Sequence, residues 1–217
     1  MDSGLVIEAG EAAWADRASV LLAQALQAAV EEGGQALLAV AGGTTPAPIL
    51  RRLARQPIPW RRIAVTLTDE RRVAADAPES NERLVRETLL AGPAAVAAFA
   101  PLRQGPVTPP PDAVLLGMGE DGHIASIFPG DPQMGALLDT RAQPACLAVP
   151  KGHGVPPPQP RLSLNLAALA GAGRIVLAIR GEAKRQLYAR ATAGGTPDLP
   201  VARLMASEAR LVTVWSE

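Results

Sequence analysis

Cysteine is nearly absent from the 217-residue chain, where Cys146 stands alone. One thiol closes no internal disulfide, and with only two histidines, His123 and His153, it builds no zinc site. Lysine is almost as scarce: of 21 basic residues only Lys151 and Lys184 are lysines. Aromatic residues are 3% of the chain, so the core must come from Leu, Val, Ile and Ala. Charge of one sign is also missing. The 21 basic residues balance 21 acidic ones, and no run of like charge occurs. That excludes a basic nucleic-acid footprint or membrane patch, so neither partner is expected. No apolar stretch reaches the ~18 residues of a membrane span. Met1-Asp2-Ser3-Gly4 lacks the basic start of a signal peptide, and a cytoplasmic protein is the expectation. The apolar share of 48% is that of an ordered globular chain.

What is present is an alternation of short β-branched runs and longer helical patterns. Leu5–Ile7 reads as a strand, and Glu11–Glu32 as a helix whose apolar residues recur at three- and four-residue steps. Gly33-Gly34 ends that helix. Ala36–Ala41 is wholly apolar, as in a strand buried on both faces of a parallel sheet. A helix over Ala47–Arg55 and a strand over Ile63–Leu67 follow. Ser80 is placed to cap a helix over Glu82–Leu90. Ala113–Leu116, Leu147–Val149, Arg161–Leu164, Ile175–Ile179 and Leu211–Val214 read as further strands, and Glu182–Thr192 as a helix. The alternation implies a single α/β domain over residues 1–217, with a Rossmann-like, mostly parallel sheet and helices on both faces. Two proline-rich segments, Pro101–Pro111 and Pro150–Pro160, read as surface loops of that domain.

In open α/β sheets ligands sit beyond the carboxyl ends of the strands, and three polar segments fall there. Gly42-Gly43-Thr44-Thr45-Pro46 joins a strand to a helix. Its glycines allow close backbone approach, and the helix start offers N–H donors, so it is either a phosphate cradle or a tight turn with a Thr cap. Asp69-Glu70-Arg71-Arg72 is either a solvated charge cluster or the source of a site residue. Gly117-Met118-Gly119-Glu120-Asp121-Gly122-His123 carries three glycines, two carboxylates and one imidazole. A histidine two residues after an aspartate can serve as a general base; the alternative is a loop or cap histidine. Asn81 is a helix cap or a ligand contact. Lys184, in the first turn of its helix, opposes the helix dipole, which an anionic ligand would explain. Arg161 either grips a phosphate or sits on the surface. Cys146 reads as a small buried residue.

These segments together resemble the glucosamine-6-phosphate isomerase/6-phosphogluconolactonase family. They are AGGTTP at Ala41–Pro46, TDERRV at Thr68–Val73, ESN at Glu79–Asn81, LGMGEDGHIASIFPG at Leu116–Gly130, RLSLN at Arg161–Asn165 and GEAK at Gly181–Lys184. The resemblance implies hydrolysis of 6-phospho-D-glucono-1,5-lactone in the oxidative pentose phosphate pathway, with no metal and no cofactor. It makes His123 the base that activates water, with Asp69 and Arg71 at the reacting end of the sugar. Gly43, Thr44, Thr45, Arg161 and Lys184 would surround the 6-phosphate, and Gly42 would also contact the substrate. Asn81 and the Glu120-Asp121 pair would shape the site, and Gly119 would contact the substrate. The partner would be the small sugar-phosphate lactone, and the assembly a monomer or weak homodimer.

The deaminase branch of the same family shares these loops but continues after the histidine as Ile-Ala-Phe-Asn-Glu-Pro. Phe128 stands here at the glutamate position, and Ser126–Gly130 has the lactonase form. Ile124 departs from the Thr that lactonases often carry, and Val212–Glu217 departs from their usual ending. A reading of another class is a non-catalytic sugar-phosphate sensor. No basic stripe accompanies the domain, and an intact Asp-Gly-His loop is more than a sensor needs.

Overall fold

Ala36–Val40 has no polar side chain and is buried along nearly its whole length, so both of its faces must be covered. The computed structural model describes residues 4–130, 134–149 and 159–216 and shows how. In chain order the elements are β1 (Gly4–Glu8), α1 (Glu11–Gly33), β2 (Ala36–Val40), α2 (Pro46–Leu53), β3 (Ile63–Leu67), β4 (Asp69–Arg71), α3 (Asn81–Thr88), β5 (Ala98–Phe99), β6 (Gly105–Pro106), β7 (Ala113–Gly117), α4 (Gly135–Leu138), β8 (Ala145–Val149), β9 (Arg161–Leu164), α5 (Leu166–Ala170), β10 (Arg174–Arg180), α6 (Glu182–Thr192), α7 (Pro200–Met205) and β11 (Leu211–Ser216).

Seven strands form one sheet in the order β1-β11-β10-β7-β2-β3-β5, and every ladder in it is parallel. The period of two along each strand sends alternate residues to opposite layers. Leu38, Val40, Leu115 and Val176 pack under α1, α2 and α3, against Trp14, Leu22, Ile49 and Val85. Ala39, Val114, Leu116 and Leu177 pack under α5, α6 and α7, against Leu166, Leu187 and Leu204. Helix α1 is held by that stripe and stopped by Gly34, whose φ of 79° is the left-handed C-cap conformation. Trp14, fully buried, donates its indole N–H to the Val214 carbonyl at 3.0 Å and so fixes α1 on the sheet. An α/β sheet with helices on both faces is therefore present as the sequence implied.

Two expected members of that sheet lie elsewhere. Leu147–Val149 and Arg161–Leu164 belong to a separate four-stranded antiparallel sheet, ordered β4-β9-β8-β6. Asp69–Arg71, which reads as a polar loop, is its strand β4, and Pro101–Pro111 is not all loop, since Gly105–Pro106 forms its edge strand β6. The reason is Thr68. Its N–H donates to the Val40 carbonyl of the large sheet at 3.0 Å, and its own carbonyl accepts from Leu164 N of the small one at 2.8 Å. One residue after β3 ends, the chain has therefore changed sheets. Lys151 and His153 lie outside the described residues.

The large sheet reverses its winding between β2 and β7. From β2 the chain moves outward to β3 and β5, and from β7 it moves the other way to β10 and β11. The crevice beyond the carboxyl ends at such a reversal is where open α/β sheets bind ligands. The loops after β2 and β7 meet there, and the small sheet carries β4 and β9 to its rim.

Candidate active site

A cleft of about 220 Å³ opens at this reversal. Eleven of the residues singled out in the sequence line it: Gly42, Gly43, Thr44 and Thr45 after β2, Asp69 and Arg71 on β4, Asn81 on α3, Gly119 and His123 after β7, Arg161 on β9 and Lys184 on α6. Ala41, Pro46, Gly117, Met118 and Ala125 complete the wall. Asp121 and Glu120 do not line it. Asp121 instead holds His123, and Glu120 is exposed.

The loop after β7 is folded tightly on itself. Gly119 N donates to the His123 carbonyl at 2.9 Å, and Gly122 N donates to the Gly119 carbonyl at 3.1 Å. Gly122 has φ 83°, and Leu199 packs against it where a side chain would stand. Asp121 Oδ1 lies 2.6 Å from His123 Nδ1 and accepts from His123 N at 3.1 Å. Burial pushes the Asp121 carboxyl up, but the hydrogen bond and charge of His123 outweigh it and hold the group below its ordinary value of 3.8. An ionised Asp121 takes the Nδ1 proton of a neutral imidazole as its hydrogen-bond partner. That leaves the Nε2 lone pair as the basic nitrogen. The Phe128 ring packs 4.8 Å from the imidazole and fixes its other side.

The opposite rim is cationic. Arg71 and Arg161 are directly opposed across the β4–β9 ladder. Like charges so placed repel, and an anion between them relieves that. Burial first, then the charge of Arg71, lower the Arg161 guanidinium below its ordinary value, with Asp69 acting the other way. The Nε atoms of both arginines are buried and lack partners among the described residues. Arg71 Nη1 donates to the Glu79 carbonyl at 2.6 Å and to Asn81 Oδ1 at 3.2 Å. Asn81 Nδ2 in turn donates to the Asp69 carbonyl at 2.8 Å. Gly42 is required beside it: a Cβ there would stand 1.9 Å from Asn81 Oδ1.

The loop after β2 presents the start of α2, with Gly43 at φ 96° and no side chain capping the helix at Thr45. Pro46 and Pro48 carry no N–H, so the first turn offers an anion the Ala47 amide together with the amides of the loop before it. Among the described residues Lys184 has no ion pair, which leaves its charge to the cleft.

Sequence reasoning did not assign Glu70 or Ser126. Glu70 accepts from Asn81 N at 2.9 Å, Glu82 N at 2.8 Å and Ser80 Oγ at 3.1 Å, so it anchors the start of α3 rather than the cleft. Ser80 is the cap it was expected to be, accepting from Arg83 N. Asp69 is only 6% exposed and accepts from Ser126 Oγ at 2.6 Å and Thr68 Oγ1 at 3.1 Å. Ser126 carried no signal beyond its place in a motif. Among the described residues no group of three or more His, Cys, Asp or Glu is arranged to hold a metal ion. Nor is any helix long and apolar enough to cross a membrane.

Comparison with known proteins adds identity to this geometry. The family described as glucosamine-6-phosphate isomerases/6-phosphogluconolactonase matches residues 9–108 and 93–215. A 6-phosphogluconolactonase of Caulobacter vibrioides is 42% identical over 218 residues, covering 93% of this chain and 92% of its own. The crystal structure of a 6-phosphogluconolactonase from Shewanella baltica matches with a TM-score of 0.86 at 31% identity, over 100% of this chain and 98% of that one. A monomeric glucosamine-6-phosphate deaminase matches with a TM-score of 0.75 over 99% and 97% of the two chains, but at 16% identity it shares the fold alone.

Proposed function

The chain belongs to the glucosamine-6-phosphate isomerase/6-phosphogluconolactonase family, and from that premise we propose that it hydrolyses 6-phospho-D-glucono-1,5-lactone to 6-phospho-D-gluconate. The observation that carries this reading is one cleft. It gathers His123, tied to Asp121, with the three cations Arg71, Arg161 and Lys184 around the open start of α2. A sugar phosphate needs such cations, and a lactone needs such a base.

A δ-lactone is an activated ester and requires no covalent nucleophile. His123 Nε2 takes a proton from water as the oxygen attacks C1. The carbonyl oxygen gains charge, the ring C1–O bond breaks, and the ring oxygen leaves as a hydroxyl by taking from His123 the proton that came from water. Asp121 stabilises the imidazolium that forms. General-base help of this kind is worth about 10²–10⁴-fold. Arg161, Lys184 and the α2 start hold the 6-phosphate, and that binding energy keeps C1 near the base. Asp69 and Arg71 position the ring. Phe128, where the deaminase branch carries glutamate, supports a lactonase over a deaminase, because a phenyl ring relays no proton.

The test generates the lactone in situ from glucose 6-phosphate with glucose-6-phosphate dehydrogenase and follows 6-phosphogluconate with and without the protein. Faster lactone opening and no ammonia release from glucosamine 6-phosphate is the expected result. Binding of 6-phosphogluconate without acceleration would overturn it in favour of a sensor.

A further inference from the structure

We propose that Ser126 is a positioning residue, the joint that carries the geometry of the His123 loop across to Asp69 and Arg161 on the small sheet. This rests on the lactonase reading of the same cleft. Ser126 is fully buried and does not itself line the cleft, yet its hydroxyl faces two residues that do. Oγ donates to Asp69 Oδ2 at 2.6 Å and accepts from Arg161 Nη1 at 3.3 Å. The backbone N–H of Ser126 donates to Ser163 Oγ at 3.2 Å, on the strand that bears Arg161. One side chain thus ties β4 and β9 to a loop of the large sheet.

The hydroxyl is suited to this by chemistry. It is donor and acceptor at once, so it satisfies a carboxylate and a guanidinium together. Alanine would keep the volume of the Cβ and remove both bonds. The Arg161 bond to Ser126 is the only one that guanidinium makes among the described residues, so its loss frees the group. The segment is also held in a particular course: Ala125, just before it, has φ 49°, the one positive value at a non-glycine residue among the described residues. The Phe128 ring, two residues on, lies 4.8 Å from His123 and 5.5 Å from the Arg161 guanidinium carbon. Ser126 and Phe128 therefore bracket Arg161 from the strand-crossing segment that follows the proposed base.

The experiment is a double-mutant cycle on the full chain, read both by lactonase kinetics and by calorimetric binding of 6-phosphogluconate. Ser126→Ala is expected to lower kcat and to weaken product binding, each by about tenfold, as for loss of a hydrogen bond to a charged group. In an Arg161→Ala background the same substitution should change product binding by less than about twofold, because the group it acts through is gone. Equal losses in both backgrounds, or no loss in either, would overturn the proposal, since a general structural defect acts additively. If Ser126→Ala fails to fold, Ser126→Cys enters the same cycle under the same criterion. A wild-type chain that does not open the lactone overturns the lactonase reading by itself, while the binding arm still judges Ser126.

Discussion

Gly119→Ala puts the proposed base under direct test. The objection to a side chain at Gly119 is steric: its Cβ would stand 2.1 Å from His123 Nδ1, 2.3 Å from His123 Cε1 and 2.5 Å from Asp121 Oδ1. Against an ordinary contact of 3.4 Å, the imidazole must retreat by about 1.3 Å, and the 2.6 Å bond to Asp121 must open with it. Misplacement of a reacting group by about 1 Å costs about 10²-fold in rate. The loop is part-exposed and can give, so the cost in stability is that of modest overpacking, about 1–3 kcal/mol. For a domain of this size that is a Tm lower by about 2–12 °C. We therefore expect kcat to fall by about 10²-fold in the coupled lactone assay, with KM changed by less than about threefold because the phosphate end is untouched. Gly117→Ala is the companion variant. Its Cβ meets nothing within 4 Å, and the His123 ring resonances should keep their wild-type shifts. Wild-type kcat in a folded Gly119→Ala protein would refute the reasoning, since it would mean that the position of His123 does not matter to the reaction.

His123→Ala should cost about 10²–10⁴-fold in kcat while circular dichroism and Tm stay near wild type, because the residue is only part-buried. Gly42→Ala drives a Cβ to 1.9 Å from Asn81 Oδ1, which holds Arg71; a several-fold rise in KM together with a lower Tm is expected from kinetics and calorimetry. Burial first, then the Asp69 charge, push the Cys146 thiol up to about 12 from an ordinary 9.0. An acid whose folded value is raised loses its proton first when unfolded, so the contribution is intact below about 9 and stability falls as pH rises toward about 12. A thiol reagent at pH 8 should accordingly label Cys146 only as fast as the protein opens, and prompt labelling of the native chain would contradict the buried placement.

The large sheet was legible because its signals are local. Ala36–Val40 and Ile63–Leu67 are short apolar runs bounded by turns, and Gly34 and Ser80 mark helix ends by their own conformational and hydrogen-bonding chemistry. The two site loops, one after Ala36–Val40 and one after Ala113–Gly117, could be placed for the same reason, since each directly follows a strand of that sheet. The small sheet was not legible. Strand β4 is three polar residues, Asp69-Glu70-Arg71, with no apolar alternation to announce it. Its partner is ninety residues further on, and register across such a distance is set by packing that no window of sequence contains. Glu70 looked like one member of a charge cluster, but its carboxylate is spent on the N–H groups at the start of α3.

That unseen register also explains how a chain of zero net charge can hold a sugar phosphate. The family resemblance puts Arg71 at the reacting end of the sugar and Arg161 at the phosphate. The ladder places them opposite each other on adjacent strands. Two guanidinium groups, one partly desolvated and each with a buried Nε that lacks a partner among the described residues, then face the same cleft as Lys184. Among the described residues the one carboxylate lining the cleft against them is Asp69, whose two oxygens are already engaged by Thr68 and Ser126. The local balance is positive although the global one is nil. The field that a dianion meets depends on which charges share a cleft, and here a strand pairing determines that more than composition does.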